Sequence, residues 1–327
     1  MANIVVTEKC NLNCPYCFAD EFVNKADKEI SIENFKTALS FIETSKSYGR
    51  FLGLIGGEPT LHSQFSAILD IVNREQKINE VLIFTNGISI NETFYITSKP
   101  KFNFLINLNS PQVIGKSNYS KILQNIDTLI PKYNKKHSIT LGLNLYSLDM
   151  DYTFFEEALE EFKFNGARLS ITVPNRMEGI SGLEKIASFK TLAYNLYVNL
   201  LYRGIYVVFD CNKIPTCLWD EKELLKISLF QQNNKNERIG FNLTTNKCNP
   251  VVDILPDLTA IRCFGLSHVS KVKIQDFPSF DDLYLYYLNI VDRELIQLPT
   301  QETCKKCTFF LNNSCYGGCL ANKNRAN

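Results

Sequence analysis

The sequence predicts an α/β fold: parallel strands covered by helices and curled into a partial barrel, followed by a small C-terminal cysteine-rich domain. Three observations predict it. Apolar stretches of strand length alternate with stretches of helix length from residue 4 to residue 209. The strands are apolar throughout rather than half polar, which is the pattern of parallel strands buried on both faces. Polar residues recur at strand C-termini (Cys10, Glu58, Asn86, Asn107, Ser110 and Asn144), the face on which barrels carry their chemistry. An open doubly wound sheet also binds ligands at strand C-termini, so position alone does not separate the two.

Residues 4–7 are a short strand that delivers the chain to a cysteine-bearing loop. Ser31 caps a helix running to about residue 48, with Glu33 and Asn34 in its first turn and Phe35, Leu39 and Ile42 on one face. Residues 51–55 are a buried strand ending in Gly56-Gly57-Glu58-Pro59, and after a helix at 64–74 the strand 81–84 ends in Thr85-Asn86-Gly87. Strand 102–109, helix 119–130, strand 139–145, helix 154–164, strand 168–173, the mostly helical stretch 183–201 and strand 205–209 continue the alternation. The rhythm breaks between 210 and 220, which divides the chain into residues 1–215 and 216–327. Beyond the break come a helix at 224–231, an exposed Asn- and Lys-rich turn at 233–237, a hairpin of strands 251–254 and 259–263 around Pro256-Asp257, and a helix at 280–295.

A net charge of +1 and a pI near 7.4 argue against nucleic acid or an anionic membrane as the main partner. There is no secretory signal pattern and no 18-residue apolar run, so a cytoplasmic, reducing location is expected. The 11 cysteines are odd in number, and none lies between Cys17 and Cys211, which fits metal ligation better than a disulfide scaffold. The histidines His62, His137 and His268 are scattered and offer no site; Arg168 reads as a structural or salt-bridged residue and Arg176 as a modest candidate for substrate contact.

Cys10, Cys14 and Cys17 place three thiols in one loop. A structural zinc ion wants four protein ligands in a closed shell, whereas a four-iron cluster on three thiolates leaves one iron free for an exchangeable ligand. The spacing Cys10-x3-Cys14-x2-Cys17, with Tyr16 before the last cysteine, resembles the defining motif of the radical S-adenosylmethionine enzymes. Gly56-Gly57-Glu58-Pro59 resembles their second motif. The resemblance covers residues 1 to about 210 and implies a partial (βα)6, TIM-like barrel. It also implies a [4Fe-4S] cluster on Cys10, Cys14 and Cys17 whose free iron chelates S-adenosylmethionine. One-electron reduction then yields methionine and a 5′-deoxyadenosyl radical that abstracts hydrogen from the substrate. Gly56 and Gly57 are expected to let the backbone approach the ligand, and the Glu58 carboxylate to receive its ammonium. Tyr16 is expected near the adenine, while Pro59, Thr85, Asn86, Asn107, Ser110 and Asn144 stand where the remaining cofactor contacts fall.

The C-terminal cysteines resemble the auxiliary-cluster (SPASM or twitch-like) extension of the same enzymes, through Cys248-x14-Cys263 and Cys304-x2-Cys307-x7-Cys315-x3-Cys319. Three departures stand out: Leu258 where the hairpin usually has Gly, a middle gap of seven rather than five, and no cysteine after Cys319. By resemblance Cys248, Cys263 and Cys319 share one [4Fe-4S] cluster and Cys304, Cys307 and Cys315 another. Fourth ligands would come from Cys211 and Cys217, Cys217 being the better candidate; a single auxiliary cluster, or a zinc knuckle on the last four cysteines, fits the same residues. Cys211 is alternatively a buried filler or a thiol that returns hydrogen to a substrate radical.

Extensions of this type occur mainly in peptide maturases. The implied activity is oxidative modification of a peptide side chain, by thioether or carbon–carbon crosslinking or by dehydrogenation. A redox-neutral peptide epimerase and a small-molecule radical dehydrogenase are the alternatives, and a pure electron carrier would have no use for Gly56 to Pro59. The implied partners are a peptide substrate and an electron donor such as flavodoxin or ferredoxin. Because the first motif begins at residue 10, leader recognition is expected from a separate protein or from the barrel itself.

Overall fold

The computed structural model describes residues 2–47, 51–90, 101–132, 139–172, 182–212, 214–233 and 247–325. The expected helix end at residue 48, His137, Val173, Arg176 and the turn after residue 233 lie outside the described residues. The chain packs as two compact units, Met1–Thr140 with Asn249–Asp292 and Leu141–Cys248 with Arg293–Asn327.

In the first unit β1 (Ala2–Thr7) is buried over its whole length. Beside it β2 (Phe51–Gly56), β3 (Glu80–Thr85) and β4 (Phe102–Asn107) run parallel in sequence order. Helix α1 (Ile32–Ile42) begins where the Ser31 hydroxyl accepts the Asn34 N–H, and it buries Phe35, Ala38, Leu39 and Ile42 at helical spacing. It ends short of residue 48. The Thr44 hydroxyl donates to the Phe41 carbonyl and accepts the Phe280 N–H, and Ser45 and the Lys46 N–H bind Asp281. These side chains hold the backbone in a turn and join it to a later helix. Helix α2 (Phe65–Arg74) covers the sheet through Phe65, Ile68, Leu69 and Val72. Ser110, with Pro111 as the first helical residue, ends the segment after β4 and opens the short α3 (Pro111–Ile114), followed by α4 (Lys116–Lys132).

In the second unit β5 (Ile139–Leu145), β6 (Gly166–Ile171) and β7 (Tyr206–Phe209) are again parallel neighbours. They are linked by α5 (Thr153–Glu161), α6 (Gly182–Ser188) and α7 (Lys190–Tyr202). The unit continues through α8 (Glu221–Asn233). Helical crossovers thus connect the parallel strands except between β3 and β4, where residues 91–100 lie outside the described residues. The expected α/β alternation is borne out.

The expected hairpin is present as β8 (Val252–Ile254) and β9 (Thr259–Ile261), with a third, unanticipated strand β10 (Lys271–Lys273) antiparallel to β9. Its location is the larger difference: β8 pairs in parallel with β1, Asn3 opposite Asp253, so the hairpin extends the first sheet. Residues before and after 215 therefore contribute to both packing units, and the division at 215/216 is no packing boundary. It stays a proposal about where the cluster-bearing region begins. Leu258, where glycine was expected, has φ +64°, the left-handed conformation glycine adopts freely, yet its side chain is buried. The helix expected at 280–295 is interrupted. α9 (Phe280–Tyr286) passes through a π turn at Tyr287–Val291 into α10 (Asp292–Gln297). At that turn Asp292 meets the Arg262 guanidinium in a buried two-pronged pair, Nε to Oδ1 3.0 Å and Nη2 to Oδ2 2.9 Å. The last helix is α11 (Thr308–Leu311).

Candidate active site and thiol groupings

The first candidate site lies at the C-terminal ends of β1, β2 and β3. Directly after β1, the Thr7 hydroxyl accepts the Lys9 N–H at 3.1 Å, and the Cys10 N–H donates to Asn24 Oδ1 at 2.8 Å. Asn24 holds this position in a left-handed conformation, φ 56°, with its own N–H on the Glu8 carbonyl. The Leu12 N–H points at Cys10 Sγ (3.4 Å), and the Cys17 N–H closes a turn onto the Cys14 carbonyl. Behind the loop, Cys17 and Phe22 pack on an apolar cluster of Val5, Ile55, Ile261 and Phe264. Phe18 and Phe22 both meet the Phe264 ring edge-on, at 5.7 and 5.6 Å. The hairpin that leads to Cys263 is therefore the floor on which the first cysteine loop rests.

Burial pushes the Cys10 thiol up to about 11 and also raises Cys14 and Cys17. At Cys14 this is opposed by a hydrogen bond from the Tyr16 side chain, which is where the structure places the residue expected near an adenine. Thiols of this kind hold their protons at neutral pH until a cationic centre displaces them. Among the described residues no three His, Cys, Asp or Glu side chains are grouped to hold a single ion. A lone tetrahedral zinc would need sulfurs about 3.8 Å apart, given Zn–S bonds of about 2.3 Å. A four-iron cluster on three thiolates leaves one iron for an exchangeable ligand, which suits a loop that offers three thiols.

Gly56 and Gly57 have a reason besides ligand approach. A Cβ on Gly56 would lie 2.3 Å from the Thr7 carbonyl oxygen, and one on Gly57 would lie 2.3 Å from that of Lys9. The end of β2 closes directly on the end of β1, with the Gly57 and Glu58 N–H groups donating to those same carbonyls. Glu58 then turns inward and is fully buried. Its Oε1 accepts from the Thr60 N–H (3.2 Å), the Thr60 hydroxyl (2.6 Å) and the Thr85 hydroxyl (2.7 Å), and its Oε2 from the Asn86 N–H (2.7 Å). Burial raises its pKa while these donors oppose the rise. Asn86 continues the chain of contacts: its Nδ2 donates to Oδ1 of Asn11, inside the cysteine motif, at 2.7 Å, and Asn11 in turn donates to Ser89. Pro59 is buried in the helical turn that Glu58 caps.

The structure thus links Cys10, Glu58, Thr85 and Asn86 through Asn11. The residues missed from sequence are Asn11, Asn24 and Thr60; Asn11 lay within the motif itself. Asn107 ends β4, beside β3, and Ser110 is buried at the start of α3. Asn144 belongs to the second unit, where its Oδ1 accepts from Arg168 at 2.9 Å while Arg168 also pairs with Asp210 at 3.0 Å. His62 is buried, with Nε2 on the Ile30 carbonyl and Nδ1 accepting the Gln64 N–H.

The second unit holds seven of the other thiols, Cys211, Cys217, Cys248, Cys304, Cys307, Cys315 and Cys319. Cys211 is accessible, yet protein crowds its sulfur: burial holds the thiol well above its ordinary value, and the nearby charges are those of Asp210, Cys319, Cys248 and Arg168. Cys217 is exposed, and partial burial of its sulfur raises its thiol, with Cys315, Cys304 and Cys307 acting in the same direction. Cys263 belongs to the first unit, at the end of β9.

Residues 4–144 match the model of the Radical SAM superfamily. The chain is 27% identical over 207 residues to 7,8-dihydro-6-hydroxymethylpterin dimethyltransferase of Methanocaldococcus jannaschii, covering 63% of this chain and 35% of that protein. It is 24% identical over 176 residues to GTP 3′,8-cyclase of Aeromonas hydrophila subsp. hydrophila, covering 49% and 51%. It therefore spans only about a third to a half of these curated relatives. Among solved structures, Streptococcus suis SuiB bound to S-adenosylmethionine superposes with a TM-score of 0.66 at 17% identity, over 98% of this chain and 73% of that one. SuiB bound to its precursor peptide SuiA gives the same score. anSMEcpe with bound AdoMet and Cp18Cys peptide also gives 0.66, at 18% identity, over 98% and 88%. The match to the radical SAM superfamily thus spans residues 4–144, and nearly the whole chain takes the fold of SuiB and anSMEcpe.

Proposed function

We propose that this chain uses S-adenosylmethionine and a [4Fe-4S] cluster on Cys10, Cys14 and Cys17 to oxidise a peptide side chain, by thioether or carbon–carbon crosslinking or by dehydrogenation. When bound, that pair supplies a 5′-deoxyadenosyl radical. The chain's own residues do the positioning. Asn24 and Asn11 hold the thiol loop, Glu58 anchors Thr60, Thr85 and Asn86, and the β2 end with Gly56 to Pro59 presents backbone to the methionine part of the cofactor. Tyr16, Asn107, Ser110 and Asn144 are the remaining candidate cofactor contacts.

The observation that carries the oxidative reading is that the second unit holds seven free cysteines beyond the first loop. A crosslink removes two hydrogens from the peptide. One leaves as a hydrogen atom to the deoxyadenosyl radical; the other leaves as a proton, and its electron needs an acceptor. An iron–sulfur cluster held by thiols of that unit, drawn from Cys211, Cys248 and Cys319 or from Cys217, Cys304, Cys307 and Cys315, would supply that acceptor. A one-electron donor of the flavodoxin or ferredoxin type starts each cycle. SuiB and anSMEcpe, each solved with a peptide, support a peptide as the substrate class. No described helix is long and apolar enough to cross a membrane.

One observation favours epimerisation as a second reading: Cys211 is accessible, as a hydrogen-atom donor must be. The test begins with 5′-deoxyadenosine release under a strong reductant, which Cys14→Ala should abolish; retained release would refute the assignment of the loop. Product mass then separates the two readings. Loss of two hydrogens identifies oxidation, and unchanged mass with solvent deuterium incorporated identifies epimerisation.

A further inference from the structure

We propose that Asn125 of α4 is a positioning residue for S-adenosylmethionine: its amide locks the peptide unit between Gly87 and Ile88, and that peptide orients Asn86 toward the cysteine loop. This rests on the reading above that Thr85 and Asn86 border the cofactor, and adds the residue, outside both motifs, that sets the turn behind them.

The residue type is the first indication. α4 buries Ile122, Ile126 and Leu129 at helical spacing. Asn125 stands beside that stripe, although Asn is a weak former of helix interiors and an amide set against an apolar face is costly unless its donors are used. Both are used. Nδ2 donates to the Gly87 carbonyl at 2.7 Å and to the Ile88 carbonyl at 3.1 Å.

One peptide unit is held at both ends. Its carbonyl, that of Gly87, accepts from Asn125, and its N–H, that of Ile88, donates to Asn86 Oδ1 at 3.0 Å. With Oδ1 taken, the Asn86 Nδ2 turns to Asn11 Oδ1 at 2.7 Å. A chain of hydrogen bonds therefore runs from α4 through a single peptide into the cysteine motif. Gly87 makes the lock necessary. Its φ is +82°, and a Cβ there would lie 3.0 Å from Ile106 of β4 and 3.1 Å from Ile122 of α4, so the position needs glycine, and glycine also lets the peptide turn over. A reversed peptide would set its carbonyl against Asn86 Oδ1. The Asn86 amide would then rotate to donate to it and bring its own oxygen against Asn11 Oδ1, breaking the contact with the cysteine loop. Asn125 excludes that orientation by keeping the carbonyl on its own side.

The test uses the full chain reconstituted anaerobically, with S-adenosylmethionine as the probe. Equilibrium binding, hydrogen exchange of the Ile88 amide and thermal unfolding are measured on wild type, Asn125→Ala and Asn125→Asp. Alanine removes both donors but is the better helix former, so unfolding should stay near wild type while the Ile88 amide exchanges faster and binding weakens about tenfold. Aspartate keeps the shape and turns an acceptor on the two carbonyls, so it should weaken binding further. A residue that only supports the fold would lower the unfolding temperature and leave affinity unchanged. Wild-type affinity in Asn125→Ala, or weakened affinity with unchanged exchange at Ile88, would overturn the proposal and leave the cofactor reading intact. A reconstituted wild type that binds no S-adenosylmethionine would remove that reading itself. If Asn125→Asp fails to accumulate, Asn125→Ala alone carries the comparison.

Discussion

Glu58→Gln isolates what the second motif does in this chain. The carboxylate has only acceptors, and it spends them on four donors: two backbone N–H groups and two hydroxyls. The amide keeps shape and volume but turns one acceptor oxygen into a donor. The Thr60 and Thr85 hydroxyls can rotate and accept from it; the Thr60 and Asn86 N–H groups cannot. Whichever way the amide faces, one buried N–H loses its partner, at a cost of about 1–3 kcal/mol. Removal of a fully buried charge offsets part of this, so the fold should survive with a modest loss of stability. The larger effect should be on the loop. If the amide faces Asn86, that residue is released, and with it the 2.7 Å bond to Asn11 between Cys10 and Leu12. We expect reconstituted Glu58→Gln to bind S-adenosylmethionine about tenfold more weakly, the equivalent of about 1.4 kcal/mol. Asn86→Ala, which cuts the same path one step later, should give a comparable loss. Equilibrium binding to the reconstituted protein, with iron content and thermal unfolding measured alongside, decides the matter. Full affinity in Asn86→Ala with impaired affinity in Glu58→Gln would show that Glu58 meets the cofactor directly and that the path through Asn11 is irrelevant.

Two further predictions concern the hairpin beneath the cysteine loop. Asp253, 2% exposed, faces Asn3 across the β1–β8 seam and accepts from its Nδ2 at 2.7 Å; burial raises its pKa to about 7, while Asn3 Oδ1 finds no donor. A raised carboxyl pKa means that the folded state binds the proton more tightly. Its contribution to stability is therefore fully present below the ordinary carboxyl value near 4 and is lost as pH rises to about 7. Asp253→Asn should be more stable than wild type above pH 7, by at most about 4 kcal/mol, with the gap closing toward pH 4–5; a pH-independent gap in urea unfolding would exclude this assignment. Leu258→Gly sets backbone relief of about 1–2 kcal/mol against loss of a buried side chain worth about 2–5 kcal/mol. The variant should unfold more readily, and a gain in stability would mean that the left-handed backbone dominates.

What was legible in the sequence was what is local. Cys10, Cys14 and Cys17 share one loop, the Ser31 cap and the hairpin around Pro256 are set by neighbouring residues, and each was read correctly as an element. What failed to show was every feature whose partner lies far along the chain. Gly56 and Gly57 looked like room for a ligand because their collision partners, the Thr7 and Lys9 carbonyls, appear only once β2 pairs with β1. The hairpin was legible but its place beside β1 was not, since nothing near Val252 names Ala2 as its partner. β10 is only Lys271-Val272-Lys273, too short and too charged to stand out from a turn. Arg262, Asp292 and Lys323 are charges that in sequence look solvated and in the fold are buried. The same distinction governs the cysteines. Their number could be counted from the sequence, and two upstream thiols were needed to complete two sets. How they group depends on the fold, and spacing along the chain does not carry it. Local spacing marks the cysteines to consider as iron ligands, and only the fold can say which of them lie together.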